Sequence, residues 1–253
     1  MTRSLCLIAL LLAAGAPLHA QDNYEIQVYG SETVAPAATM LELHSNFTFD
    51  GGTTVVDGVR PTDHALHETV EVTHGFNDWF EVGFYFFTTA QEGGWHYVGS
   101  HIRPRVRVPP SWGWPVGASI SQEIGCQDRS YATENCNYEF RPIVDKQMGR
   151  FYWAVNPSFE LALTGPDRSI GFAPSAKVSF DFSRVVTGGF EYYGGWGPVA
   201  GLLPGDAREE GLYPTLDLNL SPEWEVNAGV GIGLTPATDR LLAKLILGRR
   251  LGR

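Results

Sequence analysis

Three features of the sequence predict an all-β protein, a closed antiparallel transmembrane β-barrel of about 12 strands: long stretches of period-two alternation, connections that alternate in length, and tryptophans confined to strand ends. The twelve strands are expected at 38–49, 65–74, 79–90, 96–108, 115–126, 136–147, 150–162, 171–182, 185–196, 211–220, 223–234 and 239–249. Each holds ten to thirteen residues. Soluble strands usually run to roughly five or six residues, whereas a tilted strand crossing a bilayer needs roughly nine to eleven. Strand length therefore favours a membrane wall over a soluble sandwich.

Ahead of the first strand, Arg3, the apolar run from Leu5 to Ala14 and Leu18-His19-Ala20 read as an export signal cleaved near Ala20. That run is too short to span a bilayer, and no later segment offers 18 consecutive apolar residues. Cys6 opens the apolar run instead of following it, so it is not a lipid-attachment cysteine. Residues 1–20 are thus assigned to the signal, 21–37 to an N-terminal segment in the periplasm, and 38–253 to the barrel. Without Arg3 the chain keeps 17 basic and 28 acidic side chains, a net charge of −11. A nucleic-acid partner would need a basic face, so that class is excluded.

The connections are read at 50–64, 75–78, 91–95, 109–114, 127–135, 148–149, 163–170, 183–184, 197–210, 221–222 and 235–238. The odd-numbered ones include every long loop, and the even-numbered ones include the two-residue turns. Short periplasmic turns and longer extracellular loops follow, with both termini in the periplasm. Trp79, Trp112, Trp114, Trp153 and Trp224 lie at the short turns, and Trp95 and Trp196 beside long loops. Amphipathic rings at those levels suit the membrane interface. Cys126 and Cys136, ten apart in an exported chain, read as a disulfide closing one loop, with two free thiols as the alternative.

Within strands the two faces separate. Leu41, Leu43, Phe47 and Phe49 oppose Glu42, His44, Asn46 and Thr48; Val98, Ile102, Val106 and Val108 oppose His101, Arg103, Arg105 and Arg107. Leu212, Leu216, Leu218 and Leu220 oppose Tyr213, Thr215, Asp217 and Asn219, and the alternation continues from Trp224 and Glu225 to Leu234. A cationic side chain at the lipid mid-plane would cost about 2–4 kcal/mol, which explains why charges keep to the polar face. Pro104, Pro142, Pro157, Pro174 and Pro214 interrupt proposed strands, and all five fall on the apolar face. They are read as bulges or gaps in the ladder, since proline brings no N–H to it.

The stretches Ser45-Asn46-Phe47-Thr48, Gly75-Phe76-Asn77-Asp78-Trp79-Phe80-Glu81-Val82-Gly83, His101-Ile102-Arg103-Pro104-Arg105 and Leu216-Asp217-Leu218-Asn219-Leu220-Ser221-Pro222 resemble bacterial outer-membrane barrels. These are catalogued as transporters or under a meta-pathway phenol-degradation label, and the resemblance runs through most of 38–249. It implies an outer-membrane barrel taking up small or aromatic molecules, and no catalytic residues. Such barrels usually end on an aromatic residue; this chain ends Leu251-Gly252-Arg253.

The row His101, Arg103, Arg105 and Arg107 shares one strand face and is either a selectivity strip or one side of a set of buried ion pairs. Glu42, Glu81, Glu139, Arg141, Asp217 and Glu225 are the companion lumen residues, and the paired interior is the favoured reading. If the pore is open, neutralising Arg103 and Arg105 is expected to shift selectivity toward cations. Asp63, His64, His67 and Glu68 suggest metal ligands, but His64 and His67 should point to opposite faces, so a solvated loop end is preferred. No cofactor and no metal is expected. The Gly- and Pro-rich stretches Gly51 to Pro61 and Gly197 to Gly211 read as cover over the barrel mouth. A lipid-acting enzyme would need Ser, His and an orienting group at the lipid-facing wall, whereas His44, His67 and His101 fall in the lumen. The functional expectation is passive or facilitated passage of an unknown small solute through a monomer surrounded by outer-membrane lipid. The rivals are a plugged structural barrel, a lipid-acting enzyme and a soluble secreted β-protein.

Overall fold

The computed structural model describes residues 23–166 and 168–252; the expected signal and its cleavage site lie outside them. Twelve strands form one closed sheet: β1 Thr39–Asp50, β2 Leu66–Asn77, β3 Phe80–Gln91, β4 Gly94–Arg107, β5 Gly117–Gln127, β6 Cys136–Met148, β7 Phe151–Ala162, β8 Ile170–Asp181, β9 Val186–Gly195, β10 Glu209–Leu218, β11 Trp224–Gly233 and β12 Leu241–Leu251. Each pairs antiparallel with its sequence neighbours, and β1 closes the ring on β12 with Leu43 opposite Leu247. Every predicted strand is present, with ends displaced by three residues at most. Closure leaves no edge with unpaired N–H and C=O groups.

The sheet is inside out relative to a soluble protein. Leu41, Leu43, Phe84, Phe86, Ile124, Val178, Phe190 and Leu216 are exposed on the outer wall, while Glu42, His44, Glu71, Glu81, Arg103, Arg141, Glu191 and Lys244 are buried inside. Such an arrangement suits lipid outside and polar groups within. The prolines sit where the ladder is interrupted. Pairing of β4 with β5 skips Arg103 and Pro104, β6 with β7 skips the stretch holding Pro142 and Pro157, and β10 with β11 skips Tyr213 and Pro214. Pairing of β8 with β9 begins at Ser175, just past Pro174.

Three expectations are corrected. The β3–β4 connection is a two-residue hairpin, Glu92-Gly93, not five residues, and Gly93 takes a φ of +104° that L side chains rarely adopt. On the opposite end, β4 and β5 are joined by nine residues, 108–116, which contain the 3-10 turn Pro110–Trp112, so not every long connection lies on one side. Third, Val98 faces inward instead of outward. The β3–β4 register jumps from Phe87 opposite Gly99 to Thr88 opposite Tyr97, and this bulge reverses the alternation upstream of His101.

Trp79, Trp95, Trp112, Trp114 and Trp224 are exposed at strand ends and rims. Trp153 is half-buried near the start of β7, and Trp196 donates its indole N–H to the Tyr192 hydroxyl at 3.0 Å. Cys126 and Cys136 stand directly opposite each other on β5 and β6, 4.0 Å apart at Cα, and are joined. Asp63 and His64 form an exposed 2.6 Å pair in the β1–β2 loop, whereas His67 is buried against the Tyr24 ring. The structure does not bring these residues to one site.

Candidate functional site: the occupied lumen

The ten residues assigned to the lumen lie along two cavities. Glu42, Glu81, Arg103, Arg105, Arg107, Asp217 and Glu225 line a cavity of about 1020 Å³ at the end of the short turns. His101, Glu139 and Arg141 line a cavity of about 40 Å³ nearer the long loops. Between them runs a segment that sequence reasoning sent elsewhere.

Residues 21–37 were expected in the periplasm; residues 23–34 lie instead within the barrel. Asn46 donates to the Asn23 carbonyl (2.8 Å) and Thr69 to the Tyr24 carbonyl (2.6 Å), both toward the long-loop end of β1 and β2. Lower down, Lys244 donates to the Ile26 carbonyl (2.9 Å). Asn156 accepts from the Tyr29 N–H (2.7 Å) and donates to its carbonyl (2.9 Å). Arg105 donates to the carbonyls of Gly30 (3.1 Å) and Glu32 (2.6 Å), and Asp145 accepts from the Ser31 N–H (3.0 Å) and hydroxyl (2.6 Å). Glu81 accepts the Val34 N–H at 2.6 Å, after which the chain reverses into β1. The reversal needs Gly75, because a Cβ there would stand 2.2 Å from the Val34 carbonyl oxygen.

These partners come from β1, β2, β3, β4, β6, β7 and β12, so the segment is held from around the circumference. A strand inside a closed barrel has no free sheet edge to join, and its backbone groups must find side chains instead. The inward polar faces provide them. Its apolar side chains form two small cores in the otherwise polar lumen. Ile26 and Val28 pack with Ala154, Tyr193, Tyr213 and Leu242, and Tyr24 packs with Tyr85, Phe87 and Val98. Full burial of an aliphatic side chain contributes about 1.5–3 kcal/mol.

Tyr29 is the centre of the arrangement. Three guanidinium groups surround its ring, with Arg103 and Arg141 at 4.9 Å and Arg105 at 5.6 Å from the centroid. Its hydroxyl donates to Glu25 and lies 3.1 Å from that of Tyr85. The arginines are also paired: Arg103 with Glu71 (2.6 Å), Arg105 with Glu81 (2.7 Å) and Arg141 with Glu139 (2.8 Å). Elsewhere, Lys177 bridges Glu191 (3.2 Å) and Asp217 (2.9 Å), Lys244 contacts Glu191, and His101 contacts Glu123. Arg107 is half-buried at the turn-side cavity and has no salt bridge among the described residues. The basic row is therefore a clamp around one tyrosine and a set of ion pairs, not a bare strip.

Sequence reasoning missed Glu25, Tyr29, Asn156 and Lys244 as parts of this site. A signal existed for the segment itself: Tyr24, Ile26 and Val28 alternate with Glu25 and Gln27 like a strand that has no partner. His44, His67 and His101 are all buried in the lumen, away from the lipid-facing wall that an outer-membrane lipase would use.

The chain matches no protein-family model and no curated protein. Among solved structures it is similar to an outer membrane channel from Pseudomonas putida F1, with a TM-score of 0.60 and 9% identity over 90% of this chain and 100% of that one. It is similar to the NanC porin, with a TM-score of 0.54 and 7% identity over 84% of this chain and 99% of that one. A KdgM porin in complex with disordered oligogalacturonate gives a TM-score of 0.52 and 10% identity over 85% and 99%. The shared feature is the fold, that of bacterial outer-membrane channel barrels; these likenesses lend no support to the phenol-degradation label.

Proposed function

We propose that the protein is a monomeric outer-membrane channel for small solutes, held closed by its own N-terminal segment. The observation that carries this reading is the course of residues 23–34 through the lumen, hydrogen-bonded to seven of the twelve strands. The segment is one piece of chain entering from the turn end, and it can leave without breaking the barrel ladder. Withdrawal would expose Arg103, Arg105 and Arg141, which already hold an aromatic ring and, through Arg141, the Glu25 carboxylate at 3.4 Å. A small anionic or aromatic solute would meet the same groups. The oligogalacturonate of the KdgM complex agrees with anion passage through a barrel of this shape. Outer-membrane lipid is the surroundings that the apolar outer wall requires.

The test is planar-bilayer recording of the refolded mature chain beside a variant lacking residues 21–34, each first checked for the heat-dependent gel mobility of a closed barrel. The full chain should show rare or small steps, and the shortened chain frequent, discrete steps of at least several-fold larger conductance, reduced by benzoate. A folded shortened barrel that conducts no better than the full chain overturns the channel reading in favour of a structural barrel with a permanent plug.

A further inference from the structure

On the lumen wall facing the turn-side cavity is a constellation that neither the ion-pair set nor the clamp explains. Glu42 on β1 and Glu71 on β2 are directly opposed in the ladder, and both point inward and are buried. Like charges directly opposite each other destabilise a sheet unless something positive lies between them. His44, at the next inward position of β1, is fully buried, and neither ring nitrogen has a hydrogen-bond partner. Its Nε2 lies 3.4 Å from Oε2 of Glu71, an oxygen that also lacks a hydrogen-bond partner. Ligand atoms from all three residues fall within 4.8 Å of one another.

We infer that Glu42, His44 and Glu71 form a binding site for one divalent transition-metal ion, open to the turn-side cavity. The spacing suits it. Two atoms each roughly 2.0–2.2 Å from a tetrahedral zinc ion lie roughly 3.3–3.6 Å apart, which brackets the His44–Glu71 distance. Arg103 takes the other Glu71 oxygen at 2.6 Å and so leaves Oε2 turned toward the imidazole. The local charge points the same way. Of the four carboxylates Glu42, Glu71, Glu81 and Glu225, two are paired, Glu71 with Arg103 and Glu81 with Arg105, and Lys177, which lines the same cavity, is paired with Glu191 and Asp217. Among the described residues no Lys or Arg lies within 4.0 Å of Glu42 or Glu225, so a divalent ion would balance the cluster.

Gly248 on β12 separates Glu42 from Glu225, and a Cβ there would lie 2.7 Å from the Met40 methyl and 3.1 Å from the side chains of both glutamates, so its absence lets these side chains pack over one position. Access comes from Glu42 and Glu71, which line the turn-side cavity. One imidazole and two carboxylates select a borderline metal such as Zn²⁺ over Mg²⁺ or Ca²⁺, which prefer shells made of oxygen alone. Three protein ligands leave a fourth position toward the cavity for water or a solute. A plain ion pair between protonated His44 and Glu71 is the competing account, and it predicts no metal affinity.

The experiment is calorimetric titration of ZnCl₂ into the refolded, chelator-treated full chain, with Co²⁺ as a spectroscopic substitute. The expected result is one ion per chain, with binding weakened at least tenfold in Glu42→Gln and in His44→Gln. Loop and outer-face controls His64→Gln and His74→Gln should bind as the unaltered chain does. Glu42→Gln alone carries the test if the His44 variant does not refold. No binding by the folded chain, or binding unchanged by Glu42→Gln, overturns the site. Neither result depends on whether the barrel conducts.

Discussion

The two halves of the lumen are built from the same twelve strands and the same inward-facing register, yet one is filled and the other is open. Toward the long loops, Tyr24, Ile26 and Val28 pack against tyrosines and Phe87, beside a cavity of about 40 Å³. Toward the short turns, the segment contributes Gly30, Ser31 and Glu32, whose small or polar side chains leave a cavity of about 1020 Å³. The wall does not make this difference; the guest does. Where the segment is apolar and bulky it closes the barrel by packing, and where it is small it is held by hydrogen bonds to its backbone. The clamp at Tyr29 marks the border.

The most severe way to break that border is Arg103→Gln with Arg105→Gln. It removes two of the three cations around Tyr29, the donors to Gly30 and Glu32, and the partners of Glu71 and Glu81. Leaving a buried carboxylate without its partner costs about 3–5 kcal/mol. The open-channel fraction should rise roughly tenfold or more, since each 1.4 kcal/mol lost from the closed state is worth a factor of ten. The reversal potential in a salt gradient should also move toward cation selectivity. Unchanged recordings would show that packing alone holds the border.

A smaller effect is expected from Ile26→Ala in the filled half. The lost packing should cost about 2–4 kcal/mol. Because Ile26 belongs to the segment and not to the sheet, amide exchange at Tyr29 and Ser31 should quicken while the barrel's melting is unchanged. Loss of barrel stability instead would mean that the segment is part of the wall's folding core.

The smallest effect belongs to the rim, outside both halves. The Asp63 carboxyl is held below its ordinary range by the Gly51 N–H and then by His64. Its contribution to ordering the β1–β2 loop is therefore present above the ordinary carboxyl pKa of about 3.9 and is lost as pH falls through the lowered value. The amide resonance of Gly51 should shift on acidification to about pH 2, and not in Asp63→Asn. Conductance should be unaffected, which separates the loops from the closure.

Much of the wall was legible in the sequence because its determinants are local. Period-two alternation fixed which side chains of β1 face lipid, and the prolines could fall on the outer face because a lost N–H there costs one rung and no buried charge. Where a local irregularity intervened, alternation failed: the bulge at Val98 reversed it in the first part of β4, and the local sign of that extra step is Gly99 beside it, not the period.

The sequence by itself determined the twelve strands, their inner and outer faces away from the β4 bulge, and many of the charges that would meet inside. Those follow from short-range sterics and from the cost of placing charge in lipid. Only the tertiary structure decided that 23–34 turns back into the barrel, that Arg103, Arg105 and Arg141 converge on Tyr29, and that His44 is set between two opposed carboxylates. These are meetings of residues far apart in the chain, fixed by ring closure and strand register, and no local period encodes which of many inward-facing charges will be neighbours.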